Sequence, residues 1–184
     1  MATAANIVVG SRSHVYVAPV GTTAPTDATT AMGSSWKDLG YFTPDSLEFS
    51  NDPSFEDVET AQSDYPARKF QTKDSGKVQV DLQEWNTDTF KAVYGGGSVT
   101  VTSGVGKFVP PQLGQRTEIA VTIEVIDGSN KFRYVIPRAF QEEGVSQELH
   151  KGKEATLPFR VAILGSDGVD AWYLLTNATQ FIAG

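Results

Sequence analysis

Residues 77–97, KVQVDLQEWNTDTFKAVYGGG, change their hydrophobic period halfway along, and the rest of the chain can be read from that change. Val78, Val80 and Leu82 fall on one face and Gln79, Asp81 and Gln83 on the other, the alternation of a half-buried strand. Asn86 is then suited to an N-cap, since its side-chain oxygen can accept from the free amides of a first helical turn. Trp85 and Phe90 occupy the two positions of a hydrophobic staple around that cap. Asp88 lies in the first turn and Lys91 later, the order favoured by the helix dipole. Phe90, Val93 and Tyr94 form an i, i+3, i+4 stripe, and Gly95 suits the left-handed position that ends a helix. The stretch predicts a strand feeding a helix of about two turns. No other segment carries a convincing helical pattern.

Outward from this stretch the chain is strands and turns. Val15–Val17, Trp36–Phe42, Ser46–Asn51 and Phe55–Thr60 read as strand segments before it, and Ser98–Gly106 is a Thr/Val strand after it. Glu118–Ile126 places Ile119, Val121, Ile123 and Val125 on one face, and Asp127-Gly128-Ser129-Asn130 has hairpin-turn chemistry. Lys131–Ile136 returns and is expected to end at Pro137. Phe140–Leu149 is weakly patterned, and Lys151-Gly152-Lys153-Glu154 is a turn. Ala155–Leu164 and Ala171–Thr176 complete the set, the last as a buried strand. Strands recurring about every ten residues between Gly-, Asp- and Pro-rich turns predict a mainly β protein. The expected architecture is an antiparallel β-sandwich or barrel with one short α-helix. At 184 residues the simplest organisation is one domain over 1–184, with a flexible N-terminal arm at 1–13 and a short tail at 177–184.

Composition removes several classes of function. There is no cysteine, hence no disulfide, thiolate metal site or cysteine nucleophile. A net charge of −7 argues against coating nucleic acid by phosphate neutralisation. No apolar run approaches membrane-span length, and MATAANIVVG lacks the features of a secretory signal. His14 and His150 are the only histidines, and neither sits in a metal pattern. There is no Gly-x-Ser-x-Gly elbow, Gly106-Lys107-Phe108 is not a phosphate loop, and Gly104-Val105-Gly106 lacks the third glycine of a dinucleotide fingerprint. Adjacent carboxylates such as Glu56-Asp57 or Glu142-Glu143 point to opposite faces of a strand and do not make a glycosidase pair. Asp167-Gly168-Val169-Asp170 has too few ligands for a calcium loop. No catalytic, cofactor or metal site is expected, and the chain reads as a non-enzymatic scaffold whose business is contact.

The charge is segmented. From Asp38 to Asp64 there are eight acids and no Lys or Arg; Arg68, Lys69, Lys73 and Lys77 then follow with only Asp74 among them. Such a pattern fits cross-strand pairing within one subunit. It also fits two complementary surfaces on copies arranged head to tail.

Three stretches, in order, resemble the major tail protein, or tail tube protein, of long-tailed bacteriophages. They are Val15-Tyr16-Val17-Ala18-Pro19-Val20-Gly21-Thr22 with Ala24-Pro25-Thr26-Asp27; Trp36-Lys37-Asp38-Leu39-Gly40-Tyr41 with Asp45; and Leu82-Gln83-Glu84-Trp85-Asn86 with Val93-Tyr94-Gly95-Gly96. The likeness covers roughly residues 14–97. The resemblance implies a structural virion protein of a long non-contractile tail, assembling as hexameric rings with a shared β-barrel lumen. Stacked rings would form the conduit for DNA ejection, with DNA passing unbound and no membrane involved. The implied partners are further copies of itself, a tape measure protein, a tail terminator and baseplate or tip proteins. Assembly in the host cytoplasm and residence in the virion tail are implied as well. A tube protein of a contractile tail or secretion-type injection system, and a β-sandwich binding or decoration module, are the alternatives.

Charge and pattern, rather than the resemblance, nominate residues. Segments 46–60 and 67–84 are expected to form the lumen-side sheet, with Glu48, Asp52, Glu56 and Glu59 as lumen-facing candidates. Arg68, Lys69 and Lys73 are inter-subunit candidates, and Trp85, Phe90, Val93 and Tyr94 are expected to brace the sheet against the core. The N-terminal arm, the loop 19–35 and the tail 177–184 are candidates for bridging rings.

Overall fold

The computed structural model describes residues 6–147, 149, 151–152 and 154–182. His150, Lys153, the first five residues of the N-terminal arm and the last two of the tail lie outside these.

The strands are β1 (Arg12–Pro19), β2 (Lys37–Asp38), β3 (Glu48–Val58), β4 (Arg68–Leu82), β5 (Ser98–Thr102), β6 (Val105–Val109), β7 (Ile119–Asp127), β8 (Asn130–Gln141), β9 (Leu157–Ile163) and β10 (Tyr173–Thr176). Helix α1 (Thr87–Tyr94) follows β4, and a single turn, α2 (Thr179–Ile182), lies in the short tail expected at 177–184. The main sheet runs β2-β1-β7-β8-β9-β4-β3, all antiparallel, and β5–β6 form a separate hairpin.

The sheet folds over its own core without closing into a barrel, and β8 is the corner. One edge of β8 pairs with β10 over Phe132–Val135 and with β9 over Ala139–Gln141. The sequence ends this strand at Pro137, but β8 continues to Gln141. Its partners step from Val121–Ile136 to Ile119–Ala139, so an extra residue bulges at the proline, where a missing N–H breaks no ladder bond. The bend brings Val15, Val121, Ile123 and Ile136 against Val78, Val80, Leu82, Leu157, Phe159 and Val161, each at most 2% exposed. The segment after β2 links the far edges. Leu39 N–H donates to Val15 O, while Thr43 and Gln83 donate to Asp81 O and Tyr41 O at 2.8 Å.

The strand-to-helix reading of residues 77–97 holds. Asn86 Oδ1 accepts from the Asp88 and Thr89 amides at 2.9 and 3.0 Å, and Thr89 Oγ1 accepts from the Asn86 amide at 3.0 Å. Gly95 stands at φ +72°, donating to Ala92 O. Trp85 and Phe90 meet edge to face at 5.4 Å, as a staple requires. Of the four expected brace residues, Val93 is fully buried and Phe90 and Tyr94 are half-buried. Trp85, expected in the core, is 46% exposed. Its ring leans on Phe90 and its Nε1 donates to Ala155 O at 3.0 Å, which leaves one face in water.

Two further expectations change. The last strand, β10, is half-buried throughout rather than buried. Strand β7 is buried on both faces, because residues between β1 and β2 fold back over Ala120, Thr122 and Glu124.

Phe159→Ala, removing a fully buried ring, is expected to cost about 3–5 kcal/mol. Trp85→Ala is expected to cost only about 2 kcal/mol, from one hydrogen bond and half a ring of burial. Urea denaturation of both variants checks the order; equal losses would contradict it.

Candidate assembly surface

Strands β3 and β4 begin inside the body and leave it. On β4, Val78, Val80 and Leu82 lie in the core, while every residue from Asn51 to Asp74 is exposed. The exit point is set by β9, which pairs with β4 only over Lys77–Leu82. There Ile163 packs onto Gly76, where a Cβ would stand 2.7 Å from its Cδ1. Beyond Gly76 the two strands run on as an arm about 25 Å long, at about 3.3 Å per residue. Phe55, Val58, Tyr65 and Phe70 are 41–82% exposed along it. Such a ribbon, uncovered on both faces and both edges, is a surface for pairing with other chains.

Cross-strand pairs share a face, so the register sorts the candidates. Glu48, Ser50, Asp52 and Ser54 oppose Gln79, Lys77, Ser75 and Lys73. This row is turned away from the core, because the intervening Phe49–Val78 pair faces inward. Between Ser54 and Phe55 the register skips Thr72, a bulge in β4; thereafter Glu56 opposes Phe70, and Val58 opposes Arg68. Glu48, Asp52 and Glu56 therefore share the outward face with Lys73 and Arg68. Lys69 lies on the other face, 3.4 Å from Asp57. Glu59 follows the end of β3 and does not join the row.

Nearer the body the outward cations have partners. Lys77 Nζ is 3.0 Å from Glu142 and 3.5 Å from Glu143, which together hold its ammonium above the usual lysine range. Arg160 is hydrogen-bonded to Asp81. None of Glu48, Asp52, Glu56, Arg68 or Lys73 has an ion-pair partner among the described residues.

The loop 19–35 is not a loose strap. Arg133, 2% exposed, donates from Nε to Glu124 at 3.2 Å and from its terminal nitrogens to Asp27 O at 2.7 Å and Thr30 O at 3.0 Å. Asp27 caps the turn, accepting the Thr29 and Thr30 amides at 2.7 and 2.6 Å and the Thr30 hydroxyl at 2.7 Å. Trp36 closes the far end through Nε1 to Thr23 O at 3.2 Å. Sequence reasoning missed Arg133 because one arginine in an alternating strand carries no local mark of burial. At the N-terminal arm, Ser11 N–H donates to Ile126 O at 2.8 Å, and Ile7 and Val9 are about two-thirds exposed. In the tail, Phe181 and Ile182 of α2 are exposed.

A groove of about 640 Å³ lies between β1, the start of β7 and α1, lined by Val17, Pro19, Ala92 and Ile119 with Lys37, Asp88, Lys91 and Glu118. It gathers no nucleophile–base pair. His14 Nδ1 is 3.0 Å from Asp38 Oδ2 on the surface. No group of three or more His, Cys, Asp or Glu able to hold a metal occurs among the described residues, nor does any helix long and apolar enough to cross a membrane.

The family model for phage tail tube protein matches residues 1–183. The chain belongs to the phage tail tube protein family. It is thus a structural protein of the virion tail, one that self-assembles with other tail components into a tube. Its family is not enzymatic. Among curated proteins no sequence matches the chain. In a tail tube protein the exposed β3–β4 arm, rather than any cleft, is the feature that calls for partners.

Two outcomes test the pinned loop. Hydrogen bonds from the Thr30 amide, then from the Thr30 hydroxyl and the Thr29 amide, hold Asp27 well below the ordinary carboxylate value of about 3.8. The folded group is the stronger acid, so its contribution is fully present above pH 3.8 and is lost as pH falls through the depressed value. The Thr29 and Thr30 amide shifts should titrate with a midpoint below 3.8; a midpoint at or above it would refute the assignment. Arg133→Met, which strands Glu124 with only Lys131 beside it, should cost about 3 kcal/mol in chemical denaturation.

Proposed function

We propose that six copies of this chain form a ring, that rings stack into the tail tube, and that the tube is the conduit for DNA ejection. The β3–β4 arm is the observation that carries this reading. A two-stranded ribbon alone in water is marginal, and lateral pairing with neighbouring copies would cover its open edges. Carried around a ring, such pairing makes a continuous sheet that encloses a lumen.

The domain cores would then lie outside and the face turned away from them inside. Glu48, Asp52 and Glu56 would line the lumen, together with Lys73 and Arg68, while Lys77 and Arg160 stay tied to carboxylates. Glu59 would lie at the rim, at the start of the turn between the strands. A wall without a surplus of free cations lets DNA slide rather than adhere. Lys69, on the outer face beside Asp57, would meet the body of a neighbouring subunit. The N-terminal arm and the tail would contact the adjacent ring, with the loop 19–35 presenting a fixed surface. A tape measure protein, a terminator and baseplate proteins would complete the tail, assembled in the host cytoplasm.

Replacing residues 52–74 by an Asn-Gly turn tests the reading. The variant should keep the wild-type thermal midpoint, since every residue removed is exposed. In negative-stain micrographs wild type should form rings or tubes and the variant should stay monomeric by light scattering. A wild-type chain that remains monomeric at high concentration, even with a tail initiator added, would overturn the proposal, as would tubes formed by the armless variant.

A further inference from the structure

The two open edges of the arm carry opposite charge. We propose that β3 of one copy pairs antiparallel with the arm half of β4 of the next, Asp52 facing the neighbour's Lys73 and Glu56 facing its Arg68. This rests on the ring reading and adds to it which strand meets which, and in what register.

Among the described residues strand β3 has β4 as its only strand neighbour, so its other edge is open from Glu48 to Val58. Strand β4 is flanked by β9 only over Lys77–Leu82, so its far edge is open from Arg68 to Gly76. The ribbon therefore has both edges open where Asn51–Val58 opposes Arg68–Gly76. Because β3 and β4 run in opposite directions, placing copies side by side in one orientation brings β3 against the next β4 antiparallel. Two-fold pairing of like edges would set acid against acid or cation against cation.

The outward face is sorted by strand. Of the charged side chains there, strand β3 contributes only the carboxylates Glu48, Asp52 and Glu56, and the exposed half of β4 only the cations Lys73 and Arg68. None has an ion-pair partner among the described residues.

The bulge makes the spacing fit. Asp52 and Glu56 are four residues apart, about 13 Å along a strand. Arg68 and Lys73 are five apart, which in an unbroken strand would put them on opposite faces. The pairs Ser54–Lys73 and Val58–Arg68 enclose four steps on β3 and five on β4, so the bulge at Thr72 absorbs the odd residue. Both cations then face outward at the spacing of the acids. The register between copies is displaced by two residues from that within the hairpin, and an even displacement keeps every side chain on its face.

Reversed copies test this pairing. One carries Asp52→Lys and Glu56→Lys; the other carries Arg68→Glu and Lys73→Glu. All four positions are exposed on the arm, so both copies should melt at the wild-type temperature. At low ionic strength neither should form rings or tubes alone, because each presents like charges on both edges. An equimolar mixture should assemble by alternation around an even-numbered ring, and the chain carrying all four reversals should assemble by itself. The milder Asp52→Asn, Glu56→Gln copy should lose the salt dependence of wild-type assembly. If the reversed copies assemble separately as wild type does, fail even when mixed, or unfold while the neutral copy keeps its salt dependence, the pairing is wrong. In those cases wild-type rings still stand; monomeric wild type would instead overturn the ring reading beneath it.

Discussion

Strand β4 is the constraint on which the rest depends, because one strand is buried at one end and bare at the other. From Lys77 to Leu82 it has β9 on one edge and, on the other, β3 as far as Gln79 and then the segment around Phe42, with Val78, Val80 and Leu82 in the core. From Arg68 to Asp74 its backbone has a neighbour on one side only. Burial of the lower half fixes the twist, face and direction of the upper half, since side chains alternate along a continuous strand. The arm is presented by a rigid root, which lowers the entropy lost when a partner orders it.

The body supports that root from several sides. The capped helix α1 continues directly from β4 and closes its lower end, with Val93 in the shared core and Phe90 stapled to Trp85. The fold-back segment after β2 reaches Asp81 and Gln83 by backbone hydrogen bonds. The corner in β8 brings the β1-β7 half of the sheet over the β4-β9 half. On the outer side of β7 the buried Arg133–Glu124 pair pins loop 19–35. That pair is better regarded as a lock on the loop's position than as a source of stability, because desolvating two charges offsets most of their attraction.

What the sequence made legible was local chemistry. Asn86, the Trp85–Phe90 staple and Gly95 act within a few residues, and the alternation at Val78, Val80 and Leu82 needs only one core. Features created by pairing were hidden. Whether Pro137 ends a strand or sits in a bulge depends on a neighbour far along the chain. Thr72 looks like any strand residue, yet its bulge decides that Arg68 and Lys73 share a face. Burial of Thr122 and Glu124 follows from a loop about ninety positions earlier folding back. Trp85 misled because a staple needs only one side of the indole covered. The acid-then-base segmentation was plain in the sequence, but which acids align was a matter of register. Glu48, Asp52 and Glu56 fall on one face because they are spaced by four, and Glu59 breaks that spacing.

The distribution of paired and unpaired charge follows the same division between body and arm. In the body, Arg160 is tied to Asp81 and Lys77 to Glu142 and Glu143, and Arg138 grips both oxygens of Glu118 at 2.8 and 2.9 Å. On the outward face of the arm the charges have no ion-pair partner among the described residues. A single exposed ion pair contributes about 0–1 kcal/mol, too little to hold two copies together. In the proposed ring, several such pairs would select among alignments, because a strand slipped by one residue turns its charges to the wrong face. Weak pairs would also separate readily, so that a misaligned copy would leave before backbone hydrogen bonds along the edge made its position permanent. On the proposed pairing, charge on the arm would set register and the uncovered backbone would supply the affinity.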